Sequence, residues 1–226
     1  MANEAEKEAA ARASLKYVHD GQVVGLGTGS TATIAIRLLG EQVRTGLKIR
    51  GIPTSKASHD LAQQLGIPLI TLEDAQQIDV TIDGADEFDP GLNLIKGGGG
   101  ALLREKIVAS ATSFQVVVTD SSKQVPVLGK FPLPVEVIKF AEPLIAKKIS
   151  EMGARVVRRQ DAAGKPYLTD EDNYILDCHF GQIPEPAALG RILKGNPGVV
   201  EHGLFIGLAS VVVMAKAGAV EEFQRS

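Results

Sequence analysis

Two hydrophobic periodicities divide the chain. Short apolar runs at Gln22–Leu26, Lys48–Ile52, Pro68–Leu72, Ile78–Ile82 and Phe114–Val118 have the length and β-branched content of strands. Between them, apolar residues recur at helical spacing over 30–45, 56–66 and 100–112. The opening stretch, ANEAEKEAAARASLKYVHDG, predicts an amphipathic helix ended by Gly21, with Ala10, Ala13, Leu15 and Val18 as packing positions. Strands alternating with helices imply an α/β fold, a mostly parallel sheet with helices on both faces. The grammar changes near Pro126, Pro132 and Pro134, where a domain boundary is expected. Beyond it the pattern predicts strand Val135–Phe140, helix Glu142–Met152, strands Ala154–Arg159 and Tyr174–His179, helix Pro186–Leu193 and strand Val199–Leu204. This β-α-β-β-α-β order is that of a smaller ferredoxin-like α+β domain. Ala209–Ala215 reads as one more buried strand.

The strand exits add chemistry. They are GTGST (Gly27 to Thr31), PTSK (Pro53 to Lys56), DGAD (Asp83 to Asp86) and TDSSK (Thr119 to Lys123). In open α/β sheets ligands bind just outside the carboxyl ends of the strands, so these exits define a candidate site. GLGTGST lacks the third-glycine spacing of a dinucleotide fingerprint, and no acid follows the second strand to hold a ribose diol. It also lacks the lysine of a P-loop. Two readings remain: Thr28, Gly29, Ser30 and Thr31 hold a phosphate at a helix N-terminus, or Ser30 or Thr31 caps a tight turn. Lys123 is a solvated surface cation by itself and a phosphate ligand beside such a loop.

Asp83 and Asp86 are compatible with ordinary turn chemistry or with a divalent metal; Lys96 in the same span argues against the metal. Glu87 and Asp89 read as loop solvation. Four consecutive glycines, Gly97 to Gly100, are costly in any regular element, and their bare backbone suits an anion-binding nest. Glu105 lies one turn into a helix, among Ala101, Leu102, Val108 and Ala109. It is either a surface glutamate favoured by the helix dipole or a partly desolvated general base; the neighbouring motifs favour the base. His19, His59, His179 and His202 show no ligand or triad spacing.

Composition narrows the classes. With 226 residues, 44% hydrophobic, 23% charged and a net charge of −3, the chain has the balance of a globular protein and no basic excess for nucleic acid. No run approaches the roughly 18 apolar residues of a membrane span, so no membrane partner is expected. The charged, alanine-rich start is unlike a secretory signal, and the single Cys178 permits no internal disulfide. A cytoplasmic location is expected.

The motifs IDGADEFDP, KGGGGALLREKI, GLGTGSTA and VTDSSK, in order from about residue 20 to 125, together resemble ribose-5-phosphate isomerase of the A type. The resemblance implies a Rossmann-like catalytic domain over 1–131 and 205–226, to which the tail strand returns, and the ferredoxin-like domain over 132–204. It implies interconversion of ribose 5-phosphate and ribulose 5-phosphate through an enediolate, as part of the pentose phosphate pathway. Glu105 matches the glutamate that shuttles the proton between C1 and C2, and Lys96 with Gly97, Gly98 and Gly99 matches the group that steadies the oxyanion. Asp83, Gly84, Ala85 and Asp86 match positions around the substrate hydroxyls, with Asp83 assisting ring opening. Thr28 to Thr31 and Lys123 match the positions that bind chiefly phosphate. No cofactor or metal is implied, and the family suggests a homodimer or tetramer. Gly100 stands where many relatives carry alanine and is expected to affect the helix start. Two rivals are a dinucleotide-dependent dehydrogenase, disfavoured by the missing fingerprint, and a sugar-phosphate-binding sensor without turnover, which does not explain Glu105 or the lysine–acid cluster.

Overall fold

The computed structural model describes residues 2–75 and 77–224. Met1, Gln76, Arg225 and Ser226, which the sequence division counts in the first domain, lie outside the described residues. The backbone clusters into two units, Met1–Ala85 with Arg104–Lys123 and Leu208–Ser226, and Asp86–Leu103 with Gln124–Gly207. From its N-terminus the chain forms α1 (Ala2–Ser14), β1 (Val23–Leu26), α2 (Ser30–Arg44), β2 (Arg50–Pro53), α3 (Lys56–Gln64) and β3 (Ile78–Gly84). It enters the second unit for β4 (Glu87–Phe88) and β5 (Leu94–Ile95), then continues through α4 (Leu102–Ser110) into β6 (Thr112–Asp120) of the first. The second unit resumes with β7 (Leu133–Val137), α5 (Glu142–Glu151), β8 (Arg155–Arg158), β9 (Tyr174–His179), α6 (Pro186–Lys194), β10 (Val199–His202) and β11 (Leu204–Phe205). The chain closes in the first unit with β12 (Val211–Lys216) and β13 (Ala219–Gln224).

In the first unit six strands form one sheet in the order β13-β12-β6-β3-β1-β2, parallel except for β13. The register pairs Leu26 with Ile82, Ile82 with Val116 and Val116 with Val211. The carboxyl ends of β1, β3 and β6 therefore share one edge. Strand alternation sends Val24, Leu26, Val80, Ile82, Val116 and Val118 to one face, packed with Ala10 and Ala11 of α1 and Ile36 and Leu39 of α2. Val23, Ile52 and Ile78 pack with Val108 of α4. This is the α/β architecture expected from the periodicity.

Three details differ from the sequence reading. The run Pro68–Leu72 is not a strand, since only Leu69 bridges Gly51. Pro68 has no N–H to extend a ladder, and Asp74 turns the chain by accepting from the Thr71 N–H and hydroxyl, both at 2.9 Å. The first helix stops at Ser14, whose hydroxyl donates to the Ala11 carbonyl at 2.7 Å; a 3₁₀ turn at Leu15–Tyr17 precedes the positive-φ Gly21. A final strand, β13, was not expected. Ala217 (φ 49°) and Gly218 (φ 84°) turn the chain back onto β12, and the charged, exposed β13 has no apolar alternation to reveal it.

In the second unit the antiparallel order β10-β7-β9-β8 with α5 and α6 is the expected ferredoxin-like arrangement. Leu133, Val135, Val137, Ile145, Ile149, Leu176 and Leu193 fill its core. Cys178 is buried there, and burial pushes its thiol far above the ordinary range, so it is an inert packing residue. Residues 86–103, 124–131 and 205–207, assigned from sequence to the first domain, cluster with this unit. Their link is a second sheet, β11-β5-β4, built from strands of two residues each. The predicted strand Val199–Leu204 divides at Gly203 to make it. Gly203 donates to the Pro134 carbonyl at 2.8 Å and accepts from the Lys96 N–H at 2.9 Å. A Cβ at Gly203 would lie 2.2 Å from the Lys96 carbonyl oxygen, so only glycine fits.

Candidate active site

At the shared edge of the first unit, β1 leaves through Gly27, whose N–H donates to the Ile82 carbonyl at 3.0 Å. A Cβ on Gly27 would stand 2.5 Å from the Asp83 Cα, so glycine is what lets the β1 exit lie against the end of β3. Asp83 is 1% exposed, and its Oδ1 accepts from the Thr28 N–H at 3.0 Å and the Gly84 N–H at 2.8 Å. One carboxylate thus ties two strand exits together. Alternation along β3 places Asp83 on the face opposite Val80 and Ile82. Glu105 lies in the first turn of α4 and is 4% exposed, with Leu102, Val108 and Ala109 of the same helix also buried. The sequence reading of a desolvated carboxylate on an apolar helix sector agrees with this burial.

The two hydroxyl-rich exits differ. The Thr28 hydroxyl donates to Ser55 Oγ and lies 2.8 Å from Thr54 Oγ1, turned toward the β2 exit. Ser55 in turn caps α3, accepting from the Ser58 N–H at 3.0 Å in a closed capping box. At α2 the N-cap is Gly29 (φ 102°), and no side chain caps the helix. Neither Ser30 nor Thr31 takes the capping role left open by the sequence. The first turn of α2 keeps its amide donors for another acceptor.

The β6 exit carries Lys123. Asp120 Oδ1 accepts from the Ser122 N–H at 2.9 Å and from its hydroxyl, winding Ser121–Lys123 into a 3₁₀ turn. Glu6 of α1 holds this turn from outside, accepting from the Ser121 N–H at 3.1 Å and hydroxyl at 2.8 Å, and from the Ala217 N–H at 3.1 Å. The Ala217 bond first, then those of Ser121, hold the Glu6 carboxyl below its usual range. Lys123 is half-buried and has no hydrogen bond or ion pair among the described residues.

In the second unit the Asp86 N–H donates to the Ile95 carbonyl at 2.8 Å, and its Oδ2 accepts from the Gly98 N–H at 2.7 Å. Asp86 is therefore a clamp on the glycine turn. Gly97 (φ 101°) and Gly100 (φ 83°) reverse the backbone through conformations that other residues rarely adopt. Gly100 precedes the helix by two residues, and a Cβ there would lie 2.1 Å from Tyr167 Oη. Lys96 is 2% exposed, with Nζ 5.5 Å from the Phe205 ring centre. Glu87, read from sequence as loop solvation, is instead 3% exposed and accepts from the N–H groups of Gly129 (2.8 Å) and Phe131 (2.6 Å). It is an internal anchor.

Sequence reasoning did not single out Glu6, Arg159, Tyr167 or Asp177. Arg159 follows β8, and its Nη1 donates to the carbonyls of Gly97 (2.8 Å) and Gly98 (3.2 Å). Tyr167 Oη lies 3.4 Å from the Gly99 carbonyl. Among the described residues no three His, Cys, Asp or Glu side chains are grouped to hold a metal ion, and no helix is long and apolar enough to cross a membrane.

A Rossmann-like sheet with an open helix N-terminus, an unengaged lysine and buried carboxylates near its strand exits defines an α/β protein equipped for a phosphorylated small molecule. The chain belongs to the ribose 5-phosphate isomerase A (phosphoriboisomerase A) family, whose model it matches over residues 50–219. It is 52% identical to ribose-5-phosphate isomerase A of Nitrobacter hamburgensis over 97% of both chains. It is 51% identical to that of Parvibaculum lavamentivorans over 92% of this chain and 93% of the other. Among solved structures, a D-ribose-5-phosphate isomerase in complex with phospho-erythronic acid aligns over 100% of both chains, with a TM-score of 0.97 and 39% identity. The Methanocaldococcus jannaschii ribose 5-phosphate isomerase A aligns over 98% of this chain and 99% of its own, with a TM-score of 0.94 and 41% identity.

Proposed function

We propose that this chain interconverts D-ribose 5-phosphate and D-ribulose 5-phosphate by proton transfer through an enediolate, with Glu105 as the base. The observation that carries the assignment is Glu105 itself, a carboxylate 4% exposed in a helix of an isomerase-family chain. Such a group is held for proton transfer rather than for solubility. Starting from the aldose, Glu105 takes the C2 proton of the open-chain sugar, and electrons move to O1 to form the enediolate. The O2 hydroxyl proton moves to O1, and Glu105 returns its proton to C1. No atom is gained or lost, so an isomerase needs no co-substrate. Lys96 and the amides of the glycine turn steady the developing oxyanion. Asp83 assists ring opening, and Asp83 to Asp86 hold the hydroxyls. The open N-terminus of α2, Gly29 to Thr31, and Lys123 hold the phosphate. The relative's ligand supports this division, since an erythronic acid phosphate presents a carboxylate at one end and a phosphate at the other.

A sensor without turnover would use the phosphate-holding groups but has no use for a buried base. The reading extends to a cytoplasmic enzyme of the non-oxidative pentose phosphate pathway that works as a homo-oligomer. The exposed apolar residues Phe140 (95%) and Leu144 (55%) support the last point. The test is a coupled assay of the purified protein with ribose 5-phosphate. Formation of ribulose 5-phosphate is expected; binding without turnover would return the sensor reading.

A further inference from the structure

The Gly97–Gly100 turn is gripped by a side chain far away in sequence. Arg159 spends its guanidinium on two tasks at once. Its Nε and Nη2 donate to the two oxygens of Asp177 at 3.0 and 2.5 Å, a side-on fork that fixes the plane of the group. Its Nη1 then reaches the carbonyls of Gly97 and Gly98. The Arg159 side chain is 13% exposed and that of Asp177 18%, so water screens this pair less than a surface pair.

The consequence differs for the two peptides. The Gly97–Gly98 peptide is held at both ends, its carbonyl by Arg159 and its N–H by Asp86. The Gly98–Gly99 peptide is held at its carbonyl only. The Gly99 N–H has no partner among the described residues and lies in the exposed part of the turn. A cation on a carbonyl oxygen both orients the peptide and polarises its N–H into a better donor. Tyr167, against Gly99 and Gly100, adds a second contact on the same turn.

We infer that Arg159, locked by Asp177, is a positioning residue for the isomerisation: it aims and polarises the Gly99 N–H as an oxyanion donor. The inference rests on the isomerase reading and deepens it. Four glycines have too much conformational freedom to preorganise a donor alone, and a donor that must be ordered during reaction loses most of its value.

The experiment compares Arg159→Met, Arg159→Lys and Asp177→Asn with wild type in kcat and KM for ribose 5-phosphate. It also measures inhibition by phospho-erythronic acid and by inorganic phosphate, and Tm. For Arg159→Met, kcat should fall about ten- to a hundredfold, the scale of a misaimed or lost donor, with KM changed less than about threefold. Phospho-erythronic acid should weaken by the factor lost in kcat/KM, while inorganic phosphate should bind as in wild type. Arg159→Lys, which can reach a carbonyl but cannot fork onto Asp177, and Asp177→Asn should fall between. If Arg159→Met does not fold, Arg159→Lys decides by the same ratios. A kcat within about twofold of wild type overturns the inference, because donor loss exceeds that. So does equal weakening of both inhibitors with a lowered Tm, which marks a purely structural role. Wild type inactive on ribose 5-phosphate would overturn the isomerase reading and this inference together. Active wild type with unaffected variants would overturn this inference alone.

Discussion

Glu105→Gln separates the proposed base from everything else at its position. The amide keeps the length and volume of the side chain, so the buried sector formed with Leu102, Val108 and Ala109 stays filled. Alanine would instead leave a cavity and mix a packing loss into the kinetics. What glutamine cannot do is accept a proton. At 4% exposure, bulk water has little access to the position to stand in as the base. A positioned general base contributes on the order of 10²–10⁴-fold in rate. At about 1.36 kcal/mol per tenfold, that is roughly 3–5 kcal/mol in the barrier. The proposed phosphate holders, Lys123 and the first turn of α2, are untouched, so KM should change less than about threefold, and the loss should appear in kcat. The assay is the coupled isomerisation rate, together with exchange of the C2 proton in D₂O followed by NMR. Where the carboxylate's proton exchanges with solvent between transfers, wild type takes up deuterium during turnover; Glu105→Gln, with no carboxylate to carry it, is expected to show almost none. A folded Glu105→Gln enzyme that keeps more than about a tenth of wild-type kcat refutes the assignment, because the loss is smaller than a general base should give. Asp83 is then the next candidate.

Lys123→Ala tests the phosphate end: a charge-assisted contact is worth roughly 1.5–3 kcal/mol, so kcat/KM should fall about ten- to a hundredfold, and unchanged kinetics would remove Lys123 from the site. Glu136→Gln tests pH-dependent stability. Burial raises the Glu136 carboxyl above its ordinary 4.5, opposed in part by hydrogen bonds from Asn173 and Thr169, with Glu171 and Glu201 adding repulsion. The folded state then binds this proton more tightly than the unfolded state, so Glu136's contribution is full below its ordinary value and is lost as pH rises through the raised one. The amide keeps both hydrogen bonds at Oε1 without the charge, so the Tm of Glu136→Gln relative to wild type should rise between pH 4.5 and 8; a difference flat with pH would refute the argument.

The parts legible in the sequence are those whose cause is local. Glu105 stood out because helical spacing alone puts Leu102, Val108 and Ala109 beside it. The exits of β1, β3 and β6 stood out because glycines, hydroxyls and acids interrupt apolar runs. Arg159 left no such mark, since its partners Gly97 and Asp177 are 62 and 18 residues away and it follows another arginine in a charged stretch. Glu6 is 115 residues from the turn it holds. The strands β4, β5 and β11 are two residues each, too short for any alternation, so the boundary they set between the units has no periodic signal.

Serine and threonine at the neighbouring exits show where local reading reaches its limit. GTGST and PTSK offer the same hydroxyl chemistry after β1 and β2, and composition gives no ground for treating them differently. The backbone separates them. Ser55 sits at φ −161° and ψ 165°, an extended N-cap conformation from which its hydroxyl reaches the Ser58 N–H. At the equivalent place after β1 the N-cap is Gly29 at φ 102°, which has no side chain to close the helix. Thr28, one residue earlier, has its hydroxyl committed to Thr54 and Ser55. The β2 exit therefore satisfies its own helix and braces its neighbour, while the α2 terminus keeps donors to offer. Gly27 makes the arrangement possible by letting the β1 exit approach Asp83, whose carboxylate fixes the Thr28 amide and hence the direction in which α2 begins. Gly27 supplies the close approach and Gly29 the uncapped terminus, so the open helix end arises from backbone geometry rather than from a distinctive side chain.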